Sequence, residues 1–261
     1  MSKIRALPGA LLLALVCGVL PATAAATTER ASLHASFSPN RLGTSTTVSF
    51  GFHVETTEGT APPPMTSLNL QMPAGISYTT TTLGLSICQP QVLLEHGING
   101  CPPNSRLGFG SALVEVPFGT GAGHEIPEIQ AVAGPSPGGN LVVLFYANGA
   151  SPVSAQLVFQ GEVLSASGAY GTQLSANVPL VTSVPGGPDV SIVTVNTTIG
   201  PSHLTYYKHV HGKKVAFHPK GVSVPEHCPK GGFPFAAQFT FQDGNRTSAQ
   251  TTVPCPPRRR K

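Results

Sequence analysis

Hydrophobic and polar residues alternate along most of the chain. In residues 47–54, apolar side chains occupy every even position, and polar or small residues occupy the odd ones. A period of two is typical of a β-strand with one buried and one exposed face. The same pattern predicts strands at residues 68–72, 153–159 and 233–241. The turn sequence Asp243-Gly244-Asn245 then predicts a hairpin that leads to a returning strand at residues 247–253.

Two blocks depart from simple alternation. Residues 141–146 form a continuous apolar run between turns that contain glycine and asparagine, which predicts a central strand covered on both faces. In residues 107–116, the apolar side chains change from odd to even positions. We therefore expect a β-bulge or a bend near residues 110–112.

Helix signals are confined to one short segment. Pro90 suits a first helical turn, Leu93 and Leu94 give an apolar side, and Gly97 can take the left-handed conformation that ends a helix. The remaining strands recur about every ten residues between Gly, Pro and Asn, which is typical of an all-β, antiparallel β-sandwich of the jelly-roll or Ig-like kind. Strands and helices do not alternate, which argues against a doubly wound α/β fold.

The N-terminal residues have the form of a targeting sequence. Lys3 and Arg5 precede a short apolar stretch at residues 11–20, and small residues follow at 22–26. This order predicts a signal peptide over residues 1–26 and a secreted, extracellular protein. We expect the rest to form a single large sandwich over residues 27–257, with the glycine-rich loop at 119–123 as a possible sub-division.

Four cysteines follow the predicted signal peptide, and an even number in an exported chain indicates disulfides. Three pairings are possible. We favour the local one because each pair then flanks one compact segment, with the predicted helix enclosed by the first bridge. A zinc site is the alternative, but it would require a C-x-x-C spacing that the sequence lacks. The predicted pairs are Cys88 with Cys101 and Cys228 with Cys255.

Charge changes the picture of the surface and of possible partners. Only 10% of residues are Asp, Glu, Lys or Arg, compared with about 25% in an average domain. Ser, Thr, Gln and Asn fill the outward strand positions instead. The C-terminal residues Arg258, Arg259, Arg260 and Lys261 form a basic tail. Such a tail is usually solvated, and its alternative role is contact with an anionic polymer of the cell envelope. Nucleic-acid binding is not expected, because no recognised motif accompanies the basic residues.

Catalytic motifs are scarce in the sequence. No serine lies in a Gly-x-Ser-x-Gly motif, and the glycine-rich loop lacks the lysine of a phosphate-binding loop. Glu125 and Glu128 flank Pro127 after His124, but a proline disfavours the helix that a zinc-protease motif requires. We interpret this segment as a loop that enters a strand, and we predict no catalytic residue. The absence of Trp argues against an aromatic platform for carbohydrate.

Histidine is concentrated in one region. Five of the nine histidines lie within residues 203–227, where a hairpin that turns at Gly212 and pairs Val210 with Val215 is predicted. One face then carries His209, His211 and His218, and imidazoles on a shared face bind zinc or copper. Nearby lysines would repel a cation, so a solvated histidine face is the other interpretation, and no cofactor is predicted.

The order of several motifs resembles a group of secreted, β-rich proteins of actinobacteria that have no assigned activity. These motifs span nearly the whole chain after the signal peptide: Leu68-x-Leu-x-Met-Pro-Ala-Gly75, Cys88 with the short helix and Gly97, Cys101-Pro-Pro-Asn-Ser-Arg-Leu-Gly-Phe-Gly110, Cys228-Pro-Lys-Gly-Gly-Phe-Pro-Phe235, and Phe241-Gln-Asp-Gly244 with Cys255. The resemblance implies secretion, β structure and local disulfides, and it implies no catalytic residue.

The sequence therefore predicts a secreted, non-enzymatic structural or binding module of the cell envelope or extracellular space. One alternative is a secreted hydrolase that acts on an envelope or environmental polymer through residues that the sequence does not identify. A second alternative is a metal-binding module that uses the histidine-rich hairpin.

Overall fold

The computed structural model describes residues 28–78, 85–151, 154–200, 204–219 and 221–257. The predicted signal peptide, the basic tail and Val153 lie outside these ranges. Within them, one α-helix, α1 (Pro90–His96), and two short 3-10 turns accompany sixteen strands. The strands are β1 (Glu29–Ser38), β2 (Ser45–Thr56), β3 (Met65–Pro73), β4 (Ser77–Tyr78), β5 (Arg106–Phe118), β6 (Gly121–Glu125), β7 (Glu128–Ala133), β8 (Leu141–Gly149), β9 (Ala155–Ser165), β10 (Tyr170–Asn177), β11 (Ser191–Ile199), β12 (Tyr206–Val210), β13 (Lys213–Phe217), β14 (Val222–Ser223), β15 (Phe233–Phe241) and β16 (Arg246–Val253).

Every described strand except β12 and β13 belongs to one antiparallel sheet. The order is β16-β15-β3-β10-β9-β8-β7-β5-β11-β2-β14-β4, with β1 on β2 and β6 on β5. This sheet curls round until it is nearly closed in a barrel-like shape. The all-β, antiparallel prediction is confirmed. The predicted sandwich is not confirmed, because the strands continue from one wall to the other within a single sheet.

The sheet meets itself along a seam between β1 and β16. Among the described strands, β1 pairs only with β2 and β16 only with β15, so no ladder crosses the seam. Side chains cross it instead. The Thr247 hydroxyl donates to the Glu29 carbonyl (2.9 Å), and the Asn40 amide donates to the Pro254 carbonyl (2.9 Å) at the opposite end of the seam.

The walls next to this seam pack face to face. We call β1, β2, β3, β15 and β16 the packed half, because their inward side chains meet in the largest core cluster. Aromatic rings make up much of that cluster. The ring centroids of Phe37 and Phe233 are 5.4 Å apart, and those of Phe52 and Phe239 are 4.8 Å apart. Alternation in the strands at residues 47–54 and 233–241 therefore marks the core face, as predicted.

Strand β8 is covered on both sides, which confirms the prediction for the apolar run. Its side chains Val142, Leu144 and Tyr146 face outward and pack against Leu93 of α1. The disulfide between Cys88 and Cys101 encloses α1 and lies in the same cluster. The second disulfide joins Cys228 to Cys255, so the favoured pairing is confirmed. None of the helices in the described ranges is long and apolar enough to cross a membrane.

The irregularity in β5 lies earlier than predicted. Its register against β7 shifts between Arg106 and Gly108, not near residues 110–112. Glycine is required beside this irregularity for the approach to β11 on the other edge of β5, because a Cβ at Gly108 would lie 2.1 Å from the Thr198 carbonyl oxygen. Only a residue without a side chain permits that close backbone approach.

Candidate functional site

The half of the sheet opposite the packed half encloses a hollow. We call β5, β7, β8, β9, β10 and β11 the hollow half, and the space inside it the lumen. The inward side chains of β9 illustrate its lining: Leu157, Phe159 and Val163 face inward, yet each keeps part of its surface free. Apolar residues that face inward without complete burial indicate that the opposite wall does not reach them.

One end of the lumen is a cavity of about 100 Å³, which we call the Tyr206 cavity. It lies where β8 and β11 reach Leu141 and Ile199, and the segment that carries Leu204, Tyr206 and Pro219 covers it. Its other lining residues are Val48, Phe50, Leu70, Met72, Leu107, Val143, Phe145, Val163, Leu174, Thr197, Gly200, Gly221, Val222 and Phe235.

The other end is a cavity of about 160 Å³, which we call the Glu125 cavity. Glu125, at the end of β6, lies beside the last residue of β8, Gly149, and residues 178–181 contribute to the wall. The remaining lining residues are Phe50, Phe52, Met65, Leu68, Ala112, Val114, Pro127, Ile129, Phe145, Ala147, Ala155, Leu157, Phe159, Leu174, Ala176, Val190, Ile192, Val195 and Thr197.

A narrow waist separates the two cavities. Phe50, Phe145, Leu174 and Thr197 line both of them, so the cavities adjoin along the axis of the lumen. Gly161 of β9 makes room for this waist, since a Cβ there would lie 2.8 Å from Leu174 Cδ1 and 3.2 Å from the Phe145 ring. The Leu174 side chain therefore lies at the boundary of the two cavities.

The few polar side chains of the lining are engaged by backbone groups. Thr197 Oγ1 donates to the Phe50 carbonyl (3.2 Å), and the Tyr206 hydroxyl donates to the Arg106 carbonyl. Burial raises the pKa of Tyr206 to about 12. Glu125 Oε1 accepts the backbone N–H of Ser151 (3.0 Å). The lumen therefore presents hydrocarbon almost everywhere, with a carboxylate at one end.

A separate polar depression lies on the outside of the sheet. Its volume is about 430 Å³, and it contains the carboxylates of Glu115 and Asp189. Both oxygens of Asp189 are occupied, because they accept hydrogen bonds from Thr182 (3.2 Å) and Gln242 (2.9 Å). This arrangement ties the loop that contains Asp189 to the packed half.

The histidine-rich hairpin differs from its prediction in register. Val210 pairs with Lys213, and Lys208 pairs with Val215, so the predicted pairing of Val210 with Val215 is wrong. His211 and Gly212 both have positive φ angles, 49° and 76°, and such two-residue turns match the twist of a hairpin. The side chains of Val210 and Val215 are exposed, so the part of the hairpin next to the turn is not packed against the core.

The three predicted metal ligands occupy different settings. His209 lies opposite Lys214 in the hairpin, His211 lies in the turn, and His218 Nδ1 is 3.0 Å from the Leu204 carbonyl oxygen. In the part of the chain that the structure describes, no three His, Cys, Asp or Glu side chains form a group that could hold a metal ion.

Glu125 is a functional candidate to which the sequence interpretation assigns no role. That interpretation places Glu125 and Glu128 together in a loop, and the structure separates the two: Glu125 is buried at the end of β6, whereas Glu128 is exposed at the start of β7. The sequence feature that could have identified Glu125 is an acidic residue at the end of a strand in a chain with few charges.

Comparisons with protein-family models, with curated proteins and with solved structures gave no match. The lumen is therefore the main basis for a functional proposal. The resemblance to secreted actinobacterial proteins stays a prediction.

Proposed function

We propose that the protein is a secreted, non-enzymatic binding protein that holds a small apolar molecule in the lumen of its sheet. The observation that carries the proposal is the pair of adjoining apolar cavities, which share four lining residues across the waist. Ligand sites in proteins are typically concave and apolar, with a small number of polar groups that fix the orientation of the ligand.

The physical argument concerns what such a space can hold. A cavity of about 150 Å³ lined by aliphatic and aromatic side chains stays dry and takes up apolar molecules the size of benzene. Each methylene group that moves from water into this lining contributes about 0.8 kcal/mol. A chain that fills both cavities therefore gains enough for binding without a strong polar contact.

The proposed location agrees with the covalent structure. Disulfides persist in oxidising compartments, and the two disulfides of this chain are consistent with an extracellular protein. Outside the cell, an apolar lumen would keep a poorly soluble molecule away from water.

The test is binding of decan-1-ol, measured by calorimetry and by the shift in the unfolding transition. At a free concentration of 100 times Kd, we expect stabilisation of about 2.7 kcal/mol. Ala147→Phe places a ring in the Glu125 cavity, so we expect its affinity to fall at least about tenfold. Asn148→Phe is the matched control, because the next residue of β8 is exposed. Failure of decan-1-ol to bind, or equal losses in both variants, would overturn the proposal.

The same sample distinguishes binding from the hydrolase alternative. Decyl acetate incubated with the protein and then extracted should be recovered unchanged. Its conversion to decan-1-ol and acetate, in proportion to the protein added, would replace the proposed binding role with a catalytic one.

A further inference from the structure

We infer that the lumen selects a linear aliphatic molecule whose head group donates a hydrogen bond, an alcohol or an amine, and that this head lies at Glu125 while the tail points into the Tyr206 cavity. The inference rests on the proposed function, because it names the class and the orientation of the ligand in that lumen.

The Glu125 carboxylate lies on the backbone at the end of β8. The residue is 7% exposed, and Oε1 accepts the Ser151 N–H (3.0 Å). The same oxygen lies against Gly149, where a Cβ would be only 2.5 Å from Oε1. A fixed carboxylate in the wall of an apolar cavity is a built acceptor for a ligand group.

Among the described side chains, no positive one forms an ion pair with this carboxylate. The ion pairs in the described ranges involve other acidic groups. A buried carboxylate is more stable when it accepts hydrogen bonds or faces a positive charge. An alcohol supplies a hydrogen-bond donor, and an alkylammonium supplies a donor and a positive charge. A fatty acid would place a second negative charge beside the Glu125 carboxylate.

The described residues that line the opposite end of the lumen include no carboxylate. The Tyr206 hydroxyl is used by the Arg106 carbonyl, so the side chain presents its ring to the cavity. Val222 and Phe235 complete an apolar wall around it. An aliphatic tail therefore fits there better than a polar head.

Exposed apolar residues border the Glu125 end. Ile126 is 70% exposed and lies between Glu125 and Pro127, both of which line the cavity. Leu180 lines the cavity and is 41% exposed, so one side chain reaches from the lumen to solvent. A chain that enters tail first past these residues would leave its head beside Glu125.

The experiment compares three ten-carbon probes at neutral pH: decan-1-ol, decylamine and decanoate. For the wild-type protein, we expect the alcohol and the amine to bind at least about tenfold more tightly than decanoate. Glu125→Gln keeps an oxygen for the Ser151 N–H and removes the charge, so the gap between alcohol and decanoate should shrink to less than about threefold. Glu128→Gln is the control, because its side chain is exposed and does not line the lumen.

Orientation is tested with 10-bromodecan-1-ol in a crystal, where anomalous scattering locates the bromine. We expect the bromine beside Val222 and Phe235, and a bromine beside Glu125 would overturn the orientation. If decanoate binds the wild-type protein as tightly as the alcohol does, the inference fails while the proposed function stands. This comparison needs only the wild-type protein, so it remains decisive even if Glu125→Gln does not fold. If no probe binds, the proposed function itself fails.

Discussion

The packed half and the hollow half belong to one sheet and follow one alternating pattern, yet their interiors differ. Phenylalanines dominate the inward face of β15, at positions 233, 235, 239 and 241, and these rings reach the opposite wall. In β8 and β9, smaller residues take many of the inward positions, among them Ala147, Gly149, Ala155 and Gly161. The comparison shows that side-chain size, and not periodicity, decides whether the centre of this sheet is filled.

Truncation of an aromatic ring should produce the largest difference between the halves. Phe239 is 1% exposed and contacts Phe52, so Phe239→Ala should lower the free energy of unfolding by about 3–5 kcal/mol. Phe159 stacks on Phe145 but also faces the Glu125 cavity. Phe159→Ala should cost roughly half as much, because a surface that borders a void has fewer contacts to lose. Denaturant unfolding measures both, and equal costs would contradict the division into halves.

Removal of each disulfide in turn should give the next largest losses in the free energy of unfolding. The Cys228–Cys255 bridge joins residues 27 apart, and its replacement by two alanines should cost about 3.5 kcal/mol. The Cys88–Cys101 bridge joins residues 13 apart, and its loss should cost about 3 kcal/mol. Hydrogen exchange in α1 should accelerate only in the variant that lacks the Cys88–Cys101 bridge, since that bridge encloses the helix. Similar exchange of α1 in both variants would show that the bridges do not act on separate regions.

Alkaline pH should weaken the end of the lumen at Tyr206. The pKa of Tyr206 is about 12 in the folded protein, above the ordinary value of 10.0, so the folded state holds this proton more tightly. The resulting stabilisation is complete below pH 10 and is lost as the pH rises towards 12, with a total change of about 2 kcal/mol.

The measurement is the free energy of unfolding of wild type and Tyr206→Phe from pH 8 to pH 11.5. Below pH 10, the variant should be about 1 kcal/mol less stable, because the Arg106 carbonyl loses its donor. Above pH 10 the wild type loses stability and the variant does not, so the two curves should approach each other and cross before pH 11.5. A constant difference over the whole range would contradict a folded-state shift at Tyr206.

Enlarging an alanine should change the free energy of unfolding in opposite directions in the two halves, with the smallest effect in the hollow half. Ala147→Leu fills part of the Glu125 cavity, and we expect a gain of about 0.5–1 kcal/mol. Ala237 lies fully buried between aromatic residues of the packed half, and Ala237→Leu should cost about 1–3 kcal/mol. Thermal unfolding of the pair decides the matter, and two losses would mean that the lumen does not tolerate the extra volume.

Much of the secondary structure could be predicted from the sequence, because alternation and turn residues are local signals. The strands that became β2, β3, β8, β15 and β16, the helix α1 and both disulfides are examples. The closure of the sheet could not be predicted in the same way. An inward residue such as Leu174 gives the same pattern whether it faces another side chain or a hollow.

The candidate site escaped prediction for a related reason. Its lining comes from strands that are far apart in the chain, and only the topology brings Glu125 near Gly149. Sequence patterns direct attention to clusters that are contiguous, such as the histidine-rich hairpin. In β12 and β13 the local pattern identified the hairpin, but the two positive φ angles at His211 and Gly212 set its register.

The seam between β1 and β16 has a consequence for solubility. Open strand edges invite pairing with other molecules, and many proteins protect them with charged residues. This chain has few charged residues that could protect its strand edges, because only 10% of its residues are Asp, Glu, Lys or Arg. Because the free edges of β1 and β16 lie against each other and are joined by side chains at Thr247 and Asn40, these two strands shield each other from intermolecular pairing. The seam therefore guards a weakly charged protein against aggregation.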